Sequence, residues 1–258
     1  MVENKKKEIM LQNRHQFIHG ADSKEREFFL TSLEKDYQIK IDETFPMAIY
    51  MDEFSLPNVI QTNNNIDISI LKMISCEYLN FSIAYNILNK ISKIHELNNL
   101  NNRVEKLLNT INRIDLNDNF SEITSIDELI KTLKESRNFY SMYYSEYITG
   151  KLKSLDINDL KIQFLTISSF LKVIKEMLNN NSYFGIIIDK KGDIPLISKN
   201  AINSLINKRI NGDLSIKVAC RRNDWNTYID LNGDFIEYVH DYDIIELENS
   251  IFKHIKVR

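Results

Sequence analysis

The stretch from Gln16 to Asp36 constrains the fold of this chain more than any other part of the sequence. A short apolar run, Phe17 and Ile18, is followed by Gly20 and then by an amphipathic pattern with apolar residues at positions 29, 33 and 37. This succession predicts a strand, a tight turn and a helix. In an α/β protein such a junction directs backbone N–H groups and the positive end of the helix at whatever lies above the strand. The sequence therefore indicates an α/β fold with a potential anion site after its first strand.

The turn itself looks like a shortened phosphate loop. The full pattern is a glycine, four residues, a second glycine, a lysine and a serine or threonine. Here the run is Gly20-Ala21-Asp22-Ser23-Lys24, which is two residues short and has no second glycine. Two interpretations stay open. Either Gly20, Ala21, Asp22, Ser23 and Lys24 bind the phosphates of a nucleotide, or the run is an ordinary turn with Asp22 or Ser23 as the N-cap of the helix.

Composition narrows the class of protein. With 258 residues, of which 43% are hydrophobic, the chain can build a substantial core in one large domain or two small ones. Its net charge of −3 gives no general attraction for nucleic acid, so any such contact needs a local patch, for example Lys5–Lys7 or Arg221-Arg222. Two cysteines are too few for a disulfide or zinc framework and indicate a reducing compartment. Since no apolar run reaches about eighteen residues and no apolar leader is present, we predict a cytoplasmic protein without a membrane contact.

Two uniformly apolar runs predict further strands, and each ends in an acid. Phe45–Met51 is followed by Asp52 and Glu53, and Tyr183–Ile188 is followed by Asp189. In nucleoside triphosphatases an aspartate after such a run holds Mg²⁺, and a following glutamate orients the attacking water. These three acids are therefore the candidate metal ligands, although Asp52 and Glu53 would face the phosphates only if the second strand lies beside the first. Both runs are so apolar that we expect neither strand at the edge of the sheet.

The middle of the chain is predicted to be helical. From Ile66 onward the apolar residues step by three and four, a capping box at Ser125–Glu128 opens one helix, and Leu160 to Leu178 forms another. Four tyrosines form an aromatic stripe that favours a core seam over a platform for bases: Tyr140, Tyr143, Tyr144 and Tyr147. We therefore expect a discontinuous α/β domain, residues 1–65 and 183–258, that is interrupted by a large all-helical insertion, residues 66–182.

The last third returns to α/β patterns. A helix with Ser198 as its N-cap precedes a strand at 214–220, Asn232-Gly233 predicts a hairpin, and the final strand lies at 244–247. Histidines offer weak alternatives for a metal site. His15 and His19 stand four residues apart, and His240 is followed by two aspartates, but such residues are more often parts of a strand or a loop.

The order of these elements resembles that of the bacterial relatives of the origin-recognition and cell-division-cycle initiator ATPases, of the AAA+ P-loop class. The resemblance rests on residues 16–60 and 183–247. It implies a P-loop NTPase-like, mostly parallel sheet in which Phe17–Lys24 matches the phosphate loop, Ile186–Asp189 the second acid-ended strand, and Leu214–Arg221 the sensor strand. It further implies ATP and Mg²⁺ as cofactors, with the loop and Arg221 near the nucleotide and Asp189 near the metal.

Each catalytic element departs from the family pattern. Besides the short loop, Lys190 stands where the family has the glutamate that orients water, and Arg221-Arg222 replaces the polar sensor residue. A lysine cannot serve as a base at neutral pH unless it is strongly desolvated. We therefore expect a degenerate ATPase that acts as a protein-interaction or regulatory module, with little or no hydrolysis and a protein partner bound by the helical insertion. The alternative is an active nucleotide-binding ATPase that works on a nucleic-acid or protein partner.

Overall fold

The computed structural model describes residues 2–20, 22–51, 54–94, 101–113, 123–152, 167–190, 192–208 and 212–247. The chain divides into two compact units, one formed by residues 1–52 and 180–258 and the other by residues 53–179. Within the described ranges, no helix combines the length and the apolar character that a membrane span requires.

The first unit is built on a five-stranded sheet in which every pair of neighbours is parallel. In the order β2-β3-β4-β1-β5, its strands are β1 His15–Gly20, β2 Met47–Met51, β3 Phe184–Asp189, β4 Leu214–Cys220 and β5 Tyr242–Leu247. Both β3 and β4 are buried over their whole length, as expected of parallel strands covered on both faces. The sheet confirms the predicted α/β, P-loop NTPase-like fold class.

The described residues form seven helices: α1 Val2–Met10, α2 Ser23–Asp36, α3 Ile68–Ile91, α4 Asn101–Arg113, α5 Ile126–Thr149, α6 Ile167–Leu178 and α7 Leu196–Asn207. The first unit contains α1, α2 and α7, and the second contains the other four.

One face of the sheet is covered by α1 and α2. Their apolar side chains form a buried cluster with Ile18 of β1, and its main members on the two helices are Ile9, Met10, Phe29, Leu30 and Leu33. Each such side chain, fully buried, contributes about 1.5–3 kcal/mol to folding. Because side chains alternate along a strand, Phe17 points to the opposite face, where it contacts Trp225, Tyr228 and Tyr242.

The position of β2 at the edge of the sheet contradicts our prediction from its apolar sequence. On its outer side, Ala48 N–H donates to Tyr37 O at 2.7 Å, and Tyr50 N–H donates to Glu34 Oε1 at 2.8 Å. The C-terminal end of α2 therefore satisfies backbone donors that an open edge would leave exposed, and an all-apolar edge strand is tolerated.

The second unit is a set of helices in which α3 packs along α5. All four tyrosines of the aromatic stripe on α5 are buried, which confirms the core seam. Phe81 stacks on Tyr140 with ring centroids 5.7 Å apart, and the Tyr147 hydroxyl accepts a hydrogen bond from Asp67 N–H at 2.6 Å. Ser125 caps α5 as predicted, through a bond from Glu128 N–H to its Oγ at 3.1 Å.

One local prediction in the last third was wrong. Ser198 is not an N-cap, because α7 begins two residues earlier, directly after Pro195, and Ser198 is buried in its first turn. Proline fixes φ near the helical value and so favours a helix start at that point. The predicted helix from Leu160 is described only from Ile167, since residues 153–166 lie outside the described ranges.

The hairpin around Asn232-Gly233 is reduced to a single antiparallel bridge between Ile229 and Phe235. The Asn203 side-chain amide of α7 donates to Thr227 O at 3.2 Å and to Ile229 O at 2.9 Å. The chain does reverse at the predicted place, since Asp230 N–H donates to Asp234 O at 2.8 Å and Ile236 N–H donates to Tyr228 O at 2.9 Å. The predicted hairpin is therefore present in a short form, beside α7.

Candidate functional site

The candidate site lies at the carboxyl edge of the sheet, beside β1. From β1 the chain continues to β2 at one edge of the sheet, whereas from β4 it passes β1 to reach β5 at the other edge. The connections that follow β1 and β4, which are neighbours in the sheet, therefore run toward opposite edges of the sheet. In open parallel sheets, ligands bind in the crevice outside the carboxyl ends of the strands at such a point.

Gly20 ends β1 in a backbone conformation that only glycine adopts easily, with φ +109°. A Cβ atom at this position would lie 2.4 Å from the carbonyl oxygen of Leu247, its register partner on β5. The glycine is therefore required for the close approach of β5 to β1, independently of any ligand.

The N-terminus of α2 is capped by Asp22. Its Oδ1 accepts hydrogen bonds from the N–H groups of Lys24 and Glu25, both at 2.9 Å. These are donors that a phosphate at a helix N-terminus would use, and the positive end of the helix favours the carboxylate as it would favour phosphate. Ser23 and Lys24 are exposed at the start of the helix. The predicted anion position therefore already holds a carboxylate of the chain itself.

One turn further along α2, Arg26 forms a buried ion pair with Asp189 at the end of β3. Arg26 Nε–H donates to Asp189 Oδ1 at 2.6 Å, and a second guanidinium nitrogen donates to Lys190 O at 3.2 Å. The two side chains are 2% and 0% exposed. Breaking one partner of such a pair typically costs 3–5 kcal/mol, about the scale of a whole domain's margin of stability, because the other charge stays buried.

Lys190, which follows Asp189, also has a carboxylate close by. Its ammonium lies 3.8 Å from Asp224 Oδ2, and its backbone N–H donates to Ala219 O at 2.9 Å, extending the β3–β4 pairing. The position that the family resemblance assigns to a water-orienting glutamate thus carries a cation next to an acid.

A second cluster of polar side chains lies at the same edge of the sheet, where it links β1 to β5. Arg222 donates to Glu246 Oε1 at 2.7 Å, and His19 Nδ1 lies 3.7 Å from the same oxygen. Burial lowers the pKa of His19 below 6.5, opposed by Glu246 and assisted by Arg222. The hydrogen bond from Arg222 lowers the pKa of Glu246. His19 is therefore a neutral ring beside an ionised carboxylate at pH 7.

Cys220 is the register neighbour of His19 on β4, and it does not act as a nucleophile. Burial raises the pKa of its thiol to about 11, and the side chain is fully buried. The reactive form of cysteine is the thiolate, so a buried neutral thiol is inert.

The predicted site residues meet only in part. Gly20, Asp22, Ser23 and Lys24 lie together at the start of α2, Asp189 is joined to the same helix through Arg26, and Arg221 directly follows β4, exposed. Ala21, Asp52 and Glu53 lie outside the described residues. Since β3 and β4 separate β2 from β1, the strand order does not meet the condition under which Asp52 and Glu53 would face the phosphates.

Within the described part of the chain, no three histidine, cysteine, aspartate or glutamate side chains are grouped so that they could hold a metal ion. The His15 ring serves the sheet instead, because its Nδ1 accepts a hydrogen bond from Ile216 N–H at 3.0 Å. His240 lies 3.4 Å from its neighbour Asp241.

Arg26 is a residue of this candidate site that our sequence-based predictions did not include. It occupies the same helical stripe as Phe29, Leu30 and Leu33, and all four are buried. A charged residue on an apolar stripe requires a buried partner of opposite charge, and the acid at the end of a buried strand is such a partner. This signal was available in the sequence, although the pairing across 163 positions was not.

Those predicted site residues that the structure describes do not fit ATP and Mg²⁺ in this arrangement. The Lys24 and Glu25 amide donors at the start of α2 bind Asp22, and the aspartate that would hold the metal binds Arg26. A phosphate would meet a carboxylate, and a metal ion would meet a guanidinium.

Comparison with protein families matches the ORC-CDC6-like model over residues 36–254. The match includes the helical unit and strands β2 to β5, and it begins at the last residue of α2, so the loop at Gly20–Lys24 precedes it. No curated protein and no solved structure matches the chain. The family match agrees with the resemblance to AAA+ initiator ATPases and covers well over half of the sequence. The chain belongs to the ORC-CDC6-like family and is related to the AAA+ ATPases.

Proposed function

We propose that this protein is a degenerate AAA+-type module that regulates or binds other proteins and hydrolyses little or no ATP. The observation that carries the proposal is the ion pair between Arg26 and Asp189, 2.6 Å long and almost completely excluded from water. An aspartate that serves Mg²⁺ must offer its carboxylate oxygen to the ion. Here a permanent cation of the same chain is paired with one of the carboxylate oxygens, Oδ1.

Neighbouring groups support the same proposal. Lys190, beside Asp224, cannot orient a water molecule as a glutamate does. The carboxylate of Asp22 would repel a phosphate at the N-terminus of α2. Neither group supplies the charge stabilisation on which phosphoryl transfer depends.

The partner is proposed to bind the helical unit. On α5, Phe139 and Met142 are one turn apart and are 42% and 54% exposed, although this helix also supplies the buried tyrosine seam. Aromatic residues and methionine are enriched at protein interfaces. A protein partner therefore accounts for two large apolar side chains on the outer side of this helix.

An active ATPase that works on a nucleic-acid or protein partner is the second candidate. It is favoured by the exposure of Lys24 and Arg221, two cations at the carboxyl edge. It requires Arg26 to leave Asp189 when nucleotide arrives.

A thermal-shift and turnover experiment separates the two candidates. The full chain is heated with ATP or ADP, with and without Mg²⁺, and phosphate release is measured in parallel. A ligand at about a hundred times its dissociation constant stabilises a protein by roughly 2.7 kcal/mol. We expect no shift and no turnover above background. A shift with turnover that Lys24→Ala abolishes would establish the second candidate instead.

The partner is tested by affinity capture with the full chain. Replacing both Phe139 and Met142 by serine should reduce capture of a specific protein. Lys131→Ser, on the same helix and 73% exposed, is the matched control and should leave it unchanged. Equal capture by both variants would exclude this face of α5 as the interface.

A further inference from the structure

We infer that α2 carries built-in substitutes for a nucleotide phosphate and its metal: Asp22 takes the anion position at the N-terminus of the helix, and Arg26 takes the cation position at the end of β3. This inference rests on the proposed function. It adds that side chains of α2 and its N-cap fill both charge positions.

The anion substitute is defined by its hydrogen bonds. Asp22 Oδ1 accepts from two successive amides, Lys24 N–H and Glu25 N–H, both at 2.9 Å. Its backbone has extended angles, φ −72° and ψ 167°, as an N-cap requires. A phosphate oxygen could take these donors only after the carboxylate had left them.

The cation substitute lies deeper. Arg26 is 1% exposed, and its guanidinium contacts both the Asp189 carboxylate and Lys190 O. A divalent ion at the Oδ1 atom of Asp189 would have to displace this group, and the rest of the helix stripe is packed in the core. Displacement would leave a guanidinium buried without its carboxylate, which is strongly unfavourable.

A backbone hydrogen bond connects the two substitutes. Arg26 N–H donates to Asp22 O at 3.0 Å, the first hydrogen bond of α2. The cap therefore fixes where the helix begins, and the start of the helix fixes which residue faces the end of β3. Lys190, whose carbonyl accepts from Arg26, continues this link to β4 through its bond to Ala219 O at 2.9 Å.

A double-mutant cycle tests the cation substitute. The variants are Arg26→Met, which keeps length without charge, Asp189→Asn, and the two combined. Urea unfolding is followed by circular dichroism and by the fluorescence of Trp225, the single tryptophan of the chain, which is 2% exposed and packs on Phe17. Lys7→Met is the control, because Lys7 and Glu3 form an exposed pair at 4.0 Å.

We expect each single change to lower the folding equilibrium constant by a hundred-fold or more, and the double variant to lose much less than the product of the two losses. Lys7→Met should change it by less than five-fold. If a single variant does not fold, the double variant still tests whether the two charges depend on each other, because removing both charges should restore folding. Mg²⁺ at millimolar concentration, alone or with ATP, should not stabilise the wild-type protein.

Independent, multiplicative effects of the two single changes would overturn the inference. Stabilisation of the wild-type protein by ATP and Mg²⁺ that Asp189→Asn removes would overturn it as well, since the metal would then displace Arg26. Nucleotide hydrolysis that survives Asp189→Asn, together with strong coupling in the cycle, would instead overturn the proposed function and support the inference.

Discussion

Replacement of Gly20 by alanine should destabilise the protein strongly, because the backbone of β5 lies directly against this glycine. The backbone at Gly20 has φ +109°, and an added Cβ would lie 2.4 Å from Leu247 O and 3.3 Å from the Leu247 carbonyl carbon. An ordinary contact begins near 3.4 Å, so the backbone of β5 would have to move by about 1 Å. The obstacle is backbone, which cannot swing away as a long side chain can.

The magnitude has two parts. Holding a non-glycine residue in such a conformation costs about 1–3 kcal/mol. Forcing extra volume against a packed neighbour costs a further 1–3 kcal/mol or so. The sum, about 2–6 kcal/mol, is a large share of the 5–15 kcal/mol by which domains are typically stable.

Two other glycines in the same unit provide matched controls. Gly233 has φ +94° and nothing within 4 Å of an added Cβ, so Gly233→Ala should show the conformational part alone. Gly192 has the same open surroundings without a positive φ, so Gly192→Ala should be neutral or slightly stabilising. The free energy of unfolding is measured by urea denaturation with circular dichroism.

Gly20→Ala is expected to be more destabilising than Gly233→Ala, and an equal or smaller effect would contradict the role of Gly20 beside β5. Such a result would mean that the backbone of β5 can shift with no loss of folding free energy, and that Gly20 is needed for something other than the approach of β5. A stable Gly20→Ala variant that had also lost a nucleotide-dependent shift would assign the glycine to phosphate binding.

Three further predictions concern the cap, the histidine and the helical insertion. Asp22→Ala should lower the free energy of unfolding by about 1 kcal/mol in urea denaturation, while Asp22→Ser, which keeps a capping oxygen, should lose less; equal losses would contradict the cap. Because the folded-state pKa of His19 lies below its unfolded value of 6.5, the unfolded state binds more protons as the pH falls below 6.5, and stability decreases from there down to the folded pKa. His19→Gln should therefore lose less stability than the wild type between pH 7.5 and 5.5, and parallel pH profiles would refute this. Residues 1–65 or 183–258 expressed alone should not fold, because strands from the two segments alternate in one sheet. Replacing residues 66–181 by a short Gly/Ser linker should leave a folded sheet. A cooperative unfolding transition of residues 183–258 alone would instead require two independent domains.

The strands and most helices could be predicted from the sequence because local patterns determine them. The run Phe184–Asp189 is too apolar for anything but a buried strand, and it is one. The capping residue Ser125 and the tyrosine stripe of α5 were recognisable for the same reason, since cap chemistry and helical period are properties of neighbouring residues.

Two features that depend on contacts between distant segments escaped prediction. The edge position of β2 depends on Glu34 and Tyr37, residues of another element that cover its outer side. The Asn232-Gly233 hairpin is short, and its Thr227 and Ile229 carbonyls bind the Asn203 side chain, which lies on α7. Neither effect is encoded in the segment that it changes.

In the candidate site, too, local features could be predicted and contacts between distant segments could not. The loop from Gly20 to Lys24 and the acid Asp189 were identified from their positions after apolar runs. That Asp189 binds Arg26 rather than an external cation follows only from the packing of α2 on the sheet. An arginine on an apolar helical stripe is the sequence signal that points to such a pair.

The backbone amide signals of Lys24 and Glu25 in a ¹⁵N-labelled sample report whether the chain itself fills the anion position. Asp22 holds both N–H groups at 2.9 Å. We expect that these two signals do not move when ATP and Mg²⁺ are added to millimolar concentration, and that both move in Asp22→Ala without any nucleotide. Saturable shifts of the Lys24 and Glu25 amides on addition of ATP and Mg²⁺ to the wild-type protein would contradict it.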